Sequence, residues 1–444
     1  MVSENKKVKR AKAFTSKIPN GWTVYSLNEL LSLIRNGTSE KQNQEKVGQP
    51  VTRIETIANR VIDFNKVGFI DESINIEKYK LHRGDILFSH INSVKHIGKV
   101  ALYDTEKTLY HGMNLLLLRP NEKVVSKYLF YLLSSYSVKK YYESNAKQAV
   151  NQASLNQYDV QSFTTAYPPV NEQQKIAAIL LTIDNAIEKT EQIIEQTETV
   201  KKGLVQQLMT KGIGHTEFKN TSIGKVPLEW NIKTFNELLN ENVISSIQDG
   251  NHGSIHPKSA DYVKEGIPFI MANNLHSGEV DIKNCSFISK EQAEKLRKGF
   301  SYPGDVLLSH KGTVGRVAIV PGVSDYVMLT PQVTFYRIDN ENVLLKEYLA
   351  LYFRSEKFQG TLKKLSSQST RSYIGITNQK KLSITLPNIE EQKKITKMMS
   401  SWDEMLKNEE LKKKKLTILK LGLMQQLLTG NVRVPINDNE EVPS

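Results

Sequence analysis

The sequence predicts an α/β fold in which two similar globular domains are joined by two long antiparallel helices that form a coiled coil. Three observations support this prediction: a long duplication, short buried strands within each copy, and heptad spacing after each copy. The segment 168–176 recurs 219 residues later as 387–395, and 203–208 recurs at the same offset as 422–427. This offset is almost half of the 444 residues, far above the roughly 20 to 50 residues of a solenoid repeat. We therefore expect a pseudo-twofold internal repeat of one whole module.

Composition favours a polyanionic partner. Lys and Arg number 60 against 47 Asp and Glu, which gives a net charge of +13 and a pI near 9.3. Nucleic acid is the first candidate for such a partner, although lysine-rich helical faces of an ordinary protein would give the same charge. The single cysteine, Cys285, excludes an intrachain disulfide and indicates a reducing, cytoplasmic setting. Because no apolar run approaches the ~18 residues of a membrane span, none is expected.

The first copy follows a basic N-terminal arm at residues 1–17 and occupies 18–167. The stretch 22–31 predicts a strand that enters a short helix, while the apolar runs at 85–88 and 115–118 predict buried strands. Helical spacing follows at 127–142. These elements make one α/β domain.

The second copy occupies 216–386 and repeats this order. Residues 226–230 resemble 18–22, and 304–310 resemble 84–90. The intervening stretches differ: those in the first copy are 36–47, 53–60 and 147–157, and those in the second are 246–256, 271–279 and 366–375. Since recognition residues concentrate on loops held by a rigid frame, we expect two different ligands of one class.

Each copy is followed by a long helix, predicted at 171–211 and 390–429 within spacer segments 168–215 and 387–430; a C-terminal tail occupies 431–444. Apolar residues alternate at spacings of four and three, which is a heptad seam. At about 1.5 Å per residue each helix is roughly 60 Å long. That length favours pairing of the helices with each other over each lying only on its own domain. The predicted pairing residues are Glu172, Gln173, Ile176, Leu180, Ile183, Ile187, Glu391, Gln392, Ile395, Met399, Trp402 and Leu406.

The doubled motifs resemble the specificity (S) subunit of type I restriction-modification systems. The motifs that carry the resemblance are the Pro-x-x-x-Glu-Gln helix starts at 168–173 and 387–392, the Gln-Gln-Leu helix ends at 206–208 and 425–427, and the connector 212–218 with 223–230. The resemblance spans nearly the whole chain. It implies that 18–167 and 216–386 are target recognition domains joined by spacer helices.

The resemblance also implies a function and partners. Each target recognition domain would read one half of an asymmetric bipartite duplex DNA target. Two modification subunits would methylate adenine with S-adenosylmethionine, and restriction subunits would translocate and cleave DNA with ATP and Mg²⁺. This chain would then bind no cofactor itself and would be a non-catalytic subunit.

Catalytic motifs are missing from the sequence itself. No Asn/Asp-Pro-Pro-aromatic motif of an amino-methyltransferase and no phosphate-binding Gly-x-x-x-x-Gly-Lys-Ser/Thr loop occurs. Residues 212–214 are interpreted as a helix stop, and Asp85 and Asp305 as turn residues before strands. For His90 and His310 a structural role is slightly favoured over a DNA contact, and no Cys/His spacing predicts zinc.

DNA contacts are expected in the divergent loops, where Arg or Lys suits guanine and Asn or Gln suits adenine. The candidates are Arg53, Lys95, Lys99, Asn151, Gln152, Asn251, His252, Asn273, Lys311, Arg316 and Arg371. Two alternatives stay open at the level of sequence. One is the DNA-recognition subunit of a related restriction enzyme whose partner fuses methylase and nuclease, and the other is a coiled-coil adaptor that binds proteins.

Overall fold

The computed structural model describes residues 17–43, 45–150, 152–252, 255–276, 278–322, 325–367 and 373–435. The chain divides into two compact units. Unit 1 comprises Met1–Glu191 and Leu411–Ser444, and unit 2 comprises Gln192–Glu410. Both boundaries fall inside long helices, so each unit contains one half of each long helix.

Unit 1 is built around a four-stranded antiparallel sheet of order β2-β8-β5-β7. Smaller sheets are β1-β11, β6-β10-β9 and β3-β4. The strands are β1 Thr23–Ser26, β2 Leu31–Asn36, β3 Gln49–Val51, β4 Gly68–Ile70, β5 Ile86–Phe88, β6 Ile91–Asn92, β7 Val100–Leu102, β8 Leu116–Pro120, β9 Lys147–Ala149, β10 Gln152–Ser154 and β11 Thr164–Tyr167. Short α-helices are α1 Ser126–Ser134, α2 Tyr136–Asn145 and α3 Gln157–Gln161, and 3₁₀ turns lie at Leu27–Leu30, Ile54–Ile57, Phe64–Lys66 and Glu77–Tyr79.

Unit 2 contains the same central order, β15-β25-β22-β23, extended by β19 and β18. It adds a five-stranded sheet, β16-β20-β17-β24-β21, and the pairs β14-β26 and β12-β13. The strands are β12 Phe218–Thr221, β13 Gly224–Pro227, β14 Asn231–Thr234, β15 Ile244–Asp249, β16 Tyr262–Val263, β17 Ile267–Ile270, β18 Leu275–His276, β19 Gly278–Val280, β20 Ser286–Ile288, β21 Phe300–Ser301, β22 Val306–Ser309, β23 Val317–Ile319, β24 Val327–Leu329, β25 Val333–Ile338 and β26 Ser383–Leu386. The helices are α5 Phe235–Asn240, α6 Lys290–Glu294, α7 Lys346–Arg354, α8 Glu356–Ser366 and α9 Ile376–Lys380, with 3₁₀ turns at Ser259–Asp261 and Ala272–Asn274.

The two central sheets agree in detail, which confirms the predicted repeat. β2 pairs with β8 and β15 pairs with β25, and each pairing has a β-bulge near its start, between Leu31 and Leu33 and between Ile244 and Ser246. Bulges bend a strand and increase its twist. The same bend in both copies therefore gives both first long strands a matching path.

The predicted long helices are confirmed as α4, Val170–Lys211, and α10, Ile389–Leu427. In unit 1 the start of α4 packs with the end of α10, since Ile176 and Leu180 share a core with Met424 and Leu427. Farther along, Asp184 pairs with Lys420 and then Glu191 with Lys413. Residue numbers rise along one helix as they fall along the other, so the pairing is antiparallel.

Unit 2 has the complementary halves in the same sense. Leu208 of α4 shares a core with Ile395 and Met399 of α10, and Lys201 forms an ion pair with Asp403. The α/β class and the antiparallel helix pair are therefore both as predicted.

Two local expectations need correction. The helix predicted at 127–142 is two helices, α1 and α2, because Ser135 has an extended backbone with φ −64° and ψ 150°. Unit 2 has the same break at Ser355, whose hydroxyl donates to the carbonyl of Tyr352 at 2.6 Å. The stretch 147–157, expected as a loop, contains strands β9 and β10 and begins α3. Among the described helices, none is both long and apolar enough to cross a membrane.

Candidate nucleic-acid interface

The Gly-Asp turns of the two central sheets hold buried ion pairs. Asp85 accepts from Nε and Nη2 of Arg119 at 2.7 and 2.8 Å, and its Oδ2 also accepts from the backbone N–H of His82. Asp305 is held in the same way by Arg337 at 3.0 and 2.8 Å. The turn interpretation of both aspartates is thereby confirmed. In the described part of the chain, no group of three or more His, Cys, Asp or Glu could hold a metal ion.

A Ser-His step follows each of these turns, at the end of strand β5 or β22. His90 is 5% exposed and His310 1% exposed, so both imidazoles lie almost entirely inside their domains. Burial lowers the pKa of each to about 4, and both are neutral at physiological pH. Nδ1 of His310 is hydrogen-bonded to Oγ1 of Thr334 at 2.7 Å. Nδ1 of His90 is buried without such a partner among the described residues.

The register of the strands explains this difference. Thr334 lies on β25 opposite Leu308, two residues before His310. The equivalent residue in unit 1 is Leu116, which lies on β8 opposite Phe88, two residues before His90. A leucine side chain offers no hydrogen-bonding atom. Nδ1 of His90 therefore lacks the hydrogen bond that its counterpart makes.

A cleft of about 360 Å³ opens beside His90 in unit 1. Its rim carries four exposed polar side chains, Asn36, Lys147, Asn156 and Gln157. Its floor contains His90 and the apolar residues Ile91, Leu116 and Leu155. The cleft thus combines amide groups and one imidazole with an apolar base.

The β9-β10 hairpin stands beside this cleft and is largely exposed. Lys147, Gln148 and Ala149 are all exposed, Val150 is 93% exposed, and Gln152 is exposed at the start of β10. Gln152 was selected from the sequence, whereas Asn151 lies outside the described residues. Sequence reasoning missed Asn36, Asn156, Gln157 and Lys147, although three of them carry the amide chemistry used to select candidates.

The other candidates of unit 1 have different environments. Arg53 is exposed and donates from Nε to Oε1 of Gln42, and Lys95 is exposed. Lys99 is half-buried and donates from Nζ to the carbonyl of Ala58 at 2.6 Å. Burial lowers the pKa of Lys99, and the neighbouring charges of Arg60 and Lys139 lower it further.

In unit 2 the central feature is the buried carboxylate of Asp249, at the end of β15. It accepts from Nε2 of His252 at 2.6 Å and from Nζ of Lys298. Burial raises the pKa of Asp249, but these hydrogen bonds outweigh that effect and hold its pKa below the usual range. The predicted candidate His252 is thus about half exposed and held in place by a buried anion, while Asn251 is buried and donates to the carbonyl of His252.

The remaining candidates of unit 2 are dispersed. Asn273 and Lys311 are exposed. Arg316, the counterpart of Lys99, donates to the carbonyl of Ala272 at 3.3 Å, so both of these cations bond backbone oxygens of their own domains. Arg371 lies outside the described residues.

The predicted helix-pairing residues fall into two groups. Those spaced along the heptad seam are buried or half-buried: Ile176, Leu180, Ile183 and Ile187 on α4, and Ile395, Met399, Trp402 and Leu406 on α10. Glu172, Gln173, Glu391 and Gln392 are buried too, but their partners lie in their own domains, in the connector after α4 and in the C-terminal tail. Oε1 of Gln173 accepts from the N–H of Val125 at 2.8 Å, and Oε1 of Gln392 accepts from the N–H of Leu345 at 3.0 Å.

The two glutamates join each helix start to a tryptophan and to a basic side chain, Arg433 or His215, beyond a helix end. Glu172 accepts from the indole of Trp22 at 3.3 Å and from Nε of Arg433 at 2.7 Å. Glu391 accepts from the indole of Trp230 at 3.0 Å and lies 3.0 Å from Nε2 of His215. The sequence motif Glu-Gln therefore connects the start of each long helix to its own α/β domain.

The fold and these surfaces define a protein with two recognition domains of one design, each bearing polar side chains at the edge of its central sheet. Comparison with known proteins gives the family. The description "Type I restriction modification DNA specificity domain" matches residues 19–199 and again 227–418. The chain belongs to this family and is a specificity subunit of the type I restriction-modification class.

Individual relatives agree over nearly full length. The chain is 35% identical over 429 residues to a Methanocaldococcus jannaschii protein assigned as the MjaX type I restriction enzyme specificity subunit, covering 94% of this chain and 95% of the relative. It is 24% identical over 428 residues to the MjaVIII specificity subunit of the same organism, covering 94% of both chains.

Two solved structures share the fold. One is a chain from a structure titled as the basis of complex assembly and conformational transition of the type I R-M system. Its TM-score is 0.59 at 16% sequence identity, and the match covers 94% of this chain and 100% of that chain. The S subunit from M. genitalium has a TM-score of 0.53 at 15% identity, covering 93% and 97%.

Proposed function

We propose that this subunit reads an asymmetric bipartite DNA sequence, one half with each recognition domain, and directs adenine methylation and DNA cleavage by partner subunits. The observation that carries the proposal is that the two units share one strand framework but have different side chains at equivalent positions on it. The last residue of the first long strand is Asn36 in unit 1 and Asp249 in unit 2, at equivalent places in the register. Asn36 presents an exposed carboxamide there, whereas the buried Asp249 holds the half-exposed imidazole of His252 in place. Different groups at such a point select different bases.

The catalytic work is assigned to the partners. Two modification subunits would supply S-adenosylmethionine-dependent methylation, and restriction subunits would supply ATP- and Mg²⁺-dependent translocation and cleavage. This chain would bind the DNA target and position the partner subunits on it, within a cytoplasmic complex. Its surplus of cations, 60 Lys and Arg against 47 acidic residues, supports a sequence-independent contribution to DNA affinity.

The direct test is to map methylated adenines genome-wide in cells with and without this chain, together with its copurifying partners. The expected result is one asymmetric motif of two half-sites separated by a fixed gap, present only with the chain. A palindromic methylated motif would contradict the proposal that the two domains recognise different half-sites. Copurification of only protein partners, with no salt-sensitive binding to a bipartite duplex, would favour the adaptor alternative.

A further inference from the structure

The cleft beside His90 is a candidate for direct base recognition because its chemistry is neutral and polar. Asn36, Asn156 and Gln157 contribute carboxamides at the rim. The Nε2 of Gln157 donates to the carbonyl of Ile34 at 3.3 Å, and Oδ1 of Asn156 accepts from the N–H of Asp159. Among the described residues that line the cleft, Lys147 is the one Lys, Arg, Asp or Glu. Phosphate anchoring relies on charge, whereas carboxamides suit a base edge.

Asn36 is the best placed of these groups. It ends strand β2, is exposed, and is followed by Gly37, where an added Cβ would lie 2.2 Å from the carbonyl oxygen of His111. That close approach of two backbones fixes where the strand ends and hence where the carboxamide is presented. An Asn carboxamide can accept from N6 and donate to N7 of adenine at once.

The floor of the cleft has apolar side chains and one imidazole with a nitrogen atom that makes no hydrogen bond to the described residues. Ile91 is half-buried and offers apolar surface of the kind that contacts a thymine methyl group, with the buried Leu116 and Leu155 behind it. Nδ1 of His90 is buried without a hydrogen-bond partner among the described residues. A buried polar group without a partner costs free energy. In unit 2 the equivalent Nδ1, of His310, has the partner Thr334, and Nε2 is the ring nitrogen without one among the described residues.

From this geometry we infer that the cleft reads an A·T base pair of one half-site through the major groove, with Asn36 on adenine and the apolar floor against the thymine methyl. The inference rests on the proposed function and adds the base pair and the residue that reads it. Unit 2 presents other groups at the equivalent point, since Asp249 is occupied by His252 and Lys298. The A·T pair therefore belongs to the half-site of unit 1 alone.

The test is to assemble the complete complex with Asn36→Asp and to map its methylation motif beside that of the wild type. Aspartate accepts but cannot donate, so it loses the adenine N7 contact and favours the amino group of cytosine. One A·T position in one half-site should change or become degenerate, with a loss of about ten- to a hundred-fold in affinity for the original duplex. The other half-site should be unchanged.

Controls separate this inference from the function on which it rests. Asn65→Asp makes the same change at an exposed residue outside the cleft lining, and should leave the motif intact. Asp249→Asn should alter only the other half-site. Replacing the predicted thymine by deoxyuridine removes only the methyl group and should weaken wild-type binding several-fold.

The outcomes are distinct. If the wild type has a bipartite motif but Asn36→Asp and the milder Gln157→Ala both keep it unchanged, the cleft inference is overturned and the proposed function stands. If the wild type has no bipartite motif, the proposed function itself is overturned. An Asn36→Asp motif altered in both halves would also contradict a single reader in unit 1.

Discussion

At the scale of single residues, a buried aspartate in each unit is held by an arginine from another strand of its central sheet. The turn role of Asp85 and Asp305 followed from Gly-Asp before an apolar run and is confirmed by ion pairs to Arg119 and Arg337. Those arginines lie more than 30 residues away along the chain, and nothing in local spacing pairs them with the aspartates. The cleft residue Asn36 was missed because only strand pairing brings it close to His90.

The buried histidines predict how stability changes with pH. His111 is fully buried, burial lowers its pKa to about 4, and its Nε2 lies 3.0 Å from the carbonyl of Leu115. A group whose pKa is depressed on folding contributes stability above its unfolded pKa of ~6.5, and that stability is lost as pH falls toward 4. The expected loss is about 3 kcal/mol for this residue.

The measurement is the free energy of unfolding by denaturant between pH 7 and pH 4, for wild type and His111→Leu. The variant should show a flatter dependence on pH, by about one proton. His82→Leu is the matched control, since it removes an imidazole by the same substitution at an exposed position. If wild type and His111→Leu lose unfolding free energy equally as pH falls, the lowered pKa of His111 is contradicted.

At the scale of elements, heptad spacing was enough to predict both long helices and their seam. It could not assign the Glu-Gln pairs, because a buried glutamate at a helix start fits a seam or a link to the domain equally well. The link depends on Trp22 and Arg433, which are 150 and 261 residues from Glu172. Likewise, the break between α1 and α2 depends on the backbone of Ser135, which the helical spacing of 127–142 conceals.

The Glu172–Arg433 pair gives a stability prediction. Glu172 is 0% exposed, and Arg433 is the charged partner that contacts both of its oxygens. Removing one partner of a buried ion pair leaves an uncompensated charge. Because the Arg433 side chain is 40% exposed, we expect Arg433→Ala to lower the free energy of unfolding by about 2 kcal/mol, below the ~3 to 5 of a fully buried pair.

Denaturant unfolding of Arg433→Ala and Arg83→Ala provides the comparison. Arg83 is 64% exposed and pairs with the partly exposed Asp104, and surface pairs contribute about 1 kcal/mol or less. Equal effects of the two substitutions would show that the C-terminal segment adds no more than an ordinary surface contact.

The helix seam gives a second prediction at this scale. Leu180 is fully buried on α4 in a core that includes Met424 and Leu427 of α10. Leu180→Asp places an unpaired carboxylate there and should cost more than about 4 kcal/mol. Thr182→Asp, two residues along on an exposed position, should change the unfolding free energy by about 0.5 kcal/mol or less. Similar stability of both variants would contradict the pairing.

At the scale of the whole molecule, the repeat separates what is shared from what differs. Both copies keep the central strand order, the bulge, the buried Asp-Arg pair and the tryptophan-glutamate link. They differ at Asn36 and Asp249 and in the second sheet of unit 2. The repeat and the order of its elements were predictable because matching motifs recur in the sequence. The partners of the buried aspartates and glutamates were not, because they lie far away along the chain. The full second sheet was not predictable: β17 and β20 pair as β3 and β4 do in unit 1, but β16, β21 and β24 extend that pair to five strands in unit 2.

The paired helices give a prediction about the DNA target. Inserting one heptad into α4 after Glu191, and one into α10 before Leu411, keeps the apolar seam in phase. Each helix becomes longer by roughly 10 Å, the length of about three base pairs at ~3.4 Å each. If the helices set the separation of the half-sites, the methylation motif should keep both half-sites and gain a longer gap.

The control for this experiment replaces one existing heptad by the inserted sequence, which keeps the helix length and should keep the gap. A longer gap with unchanged bases assigns spacing to the helices and base choice to the domains. Altered bases would mean that the helices take part in base reading. An unchanged gap in an assembled, active complex would mean that the separation is set outside these helices, for instance by the partner subunits.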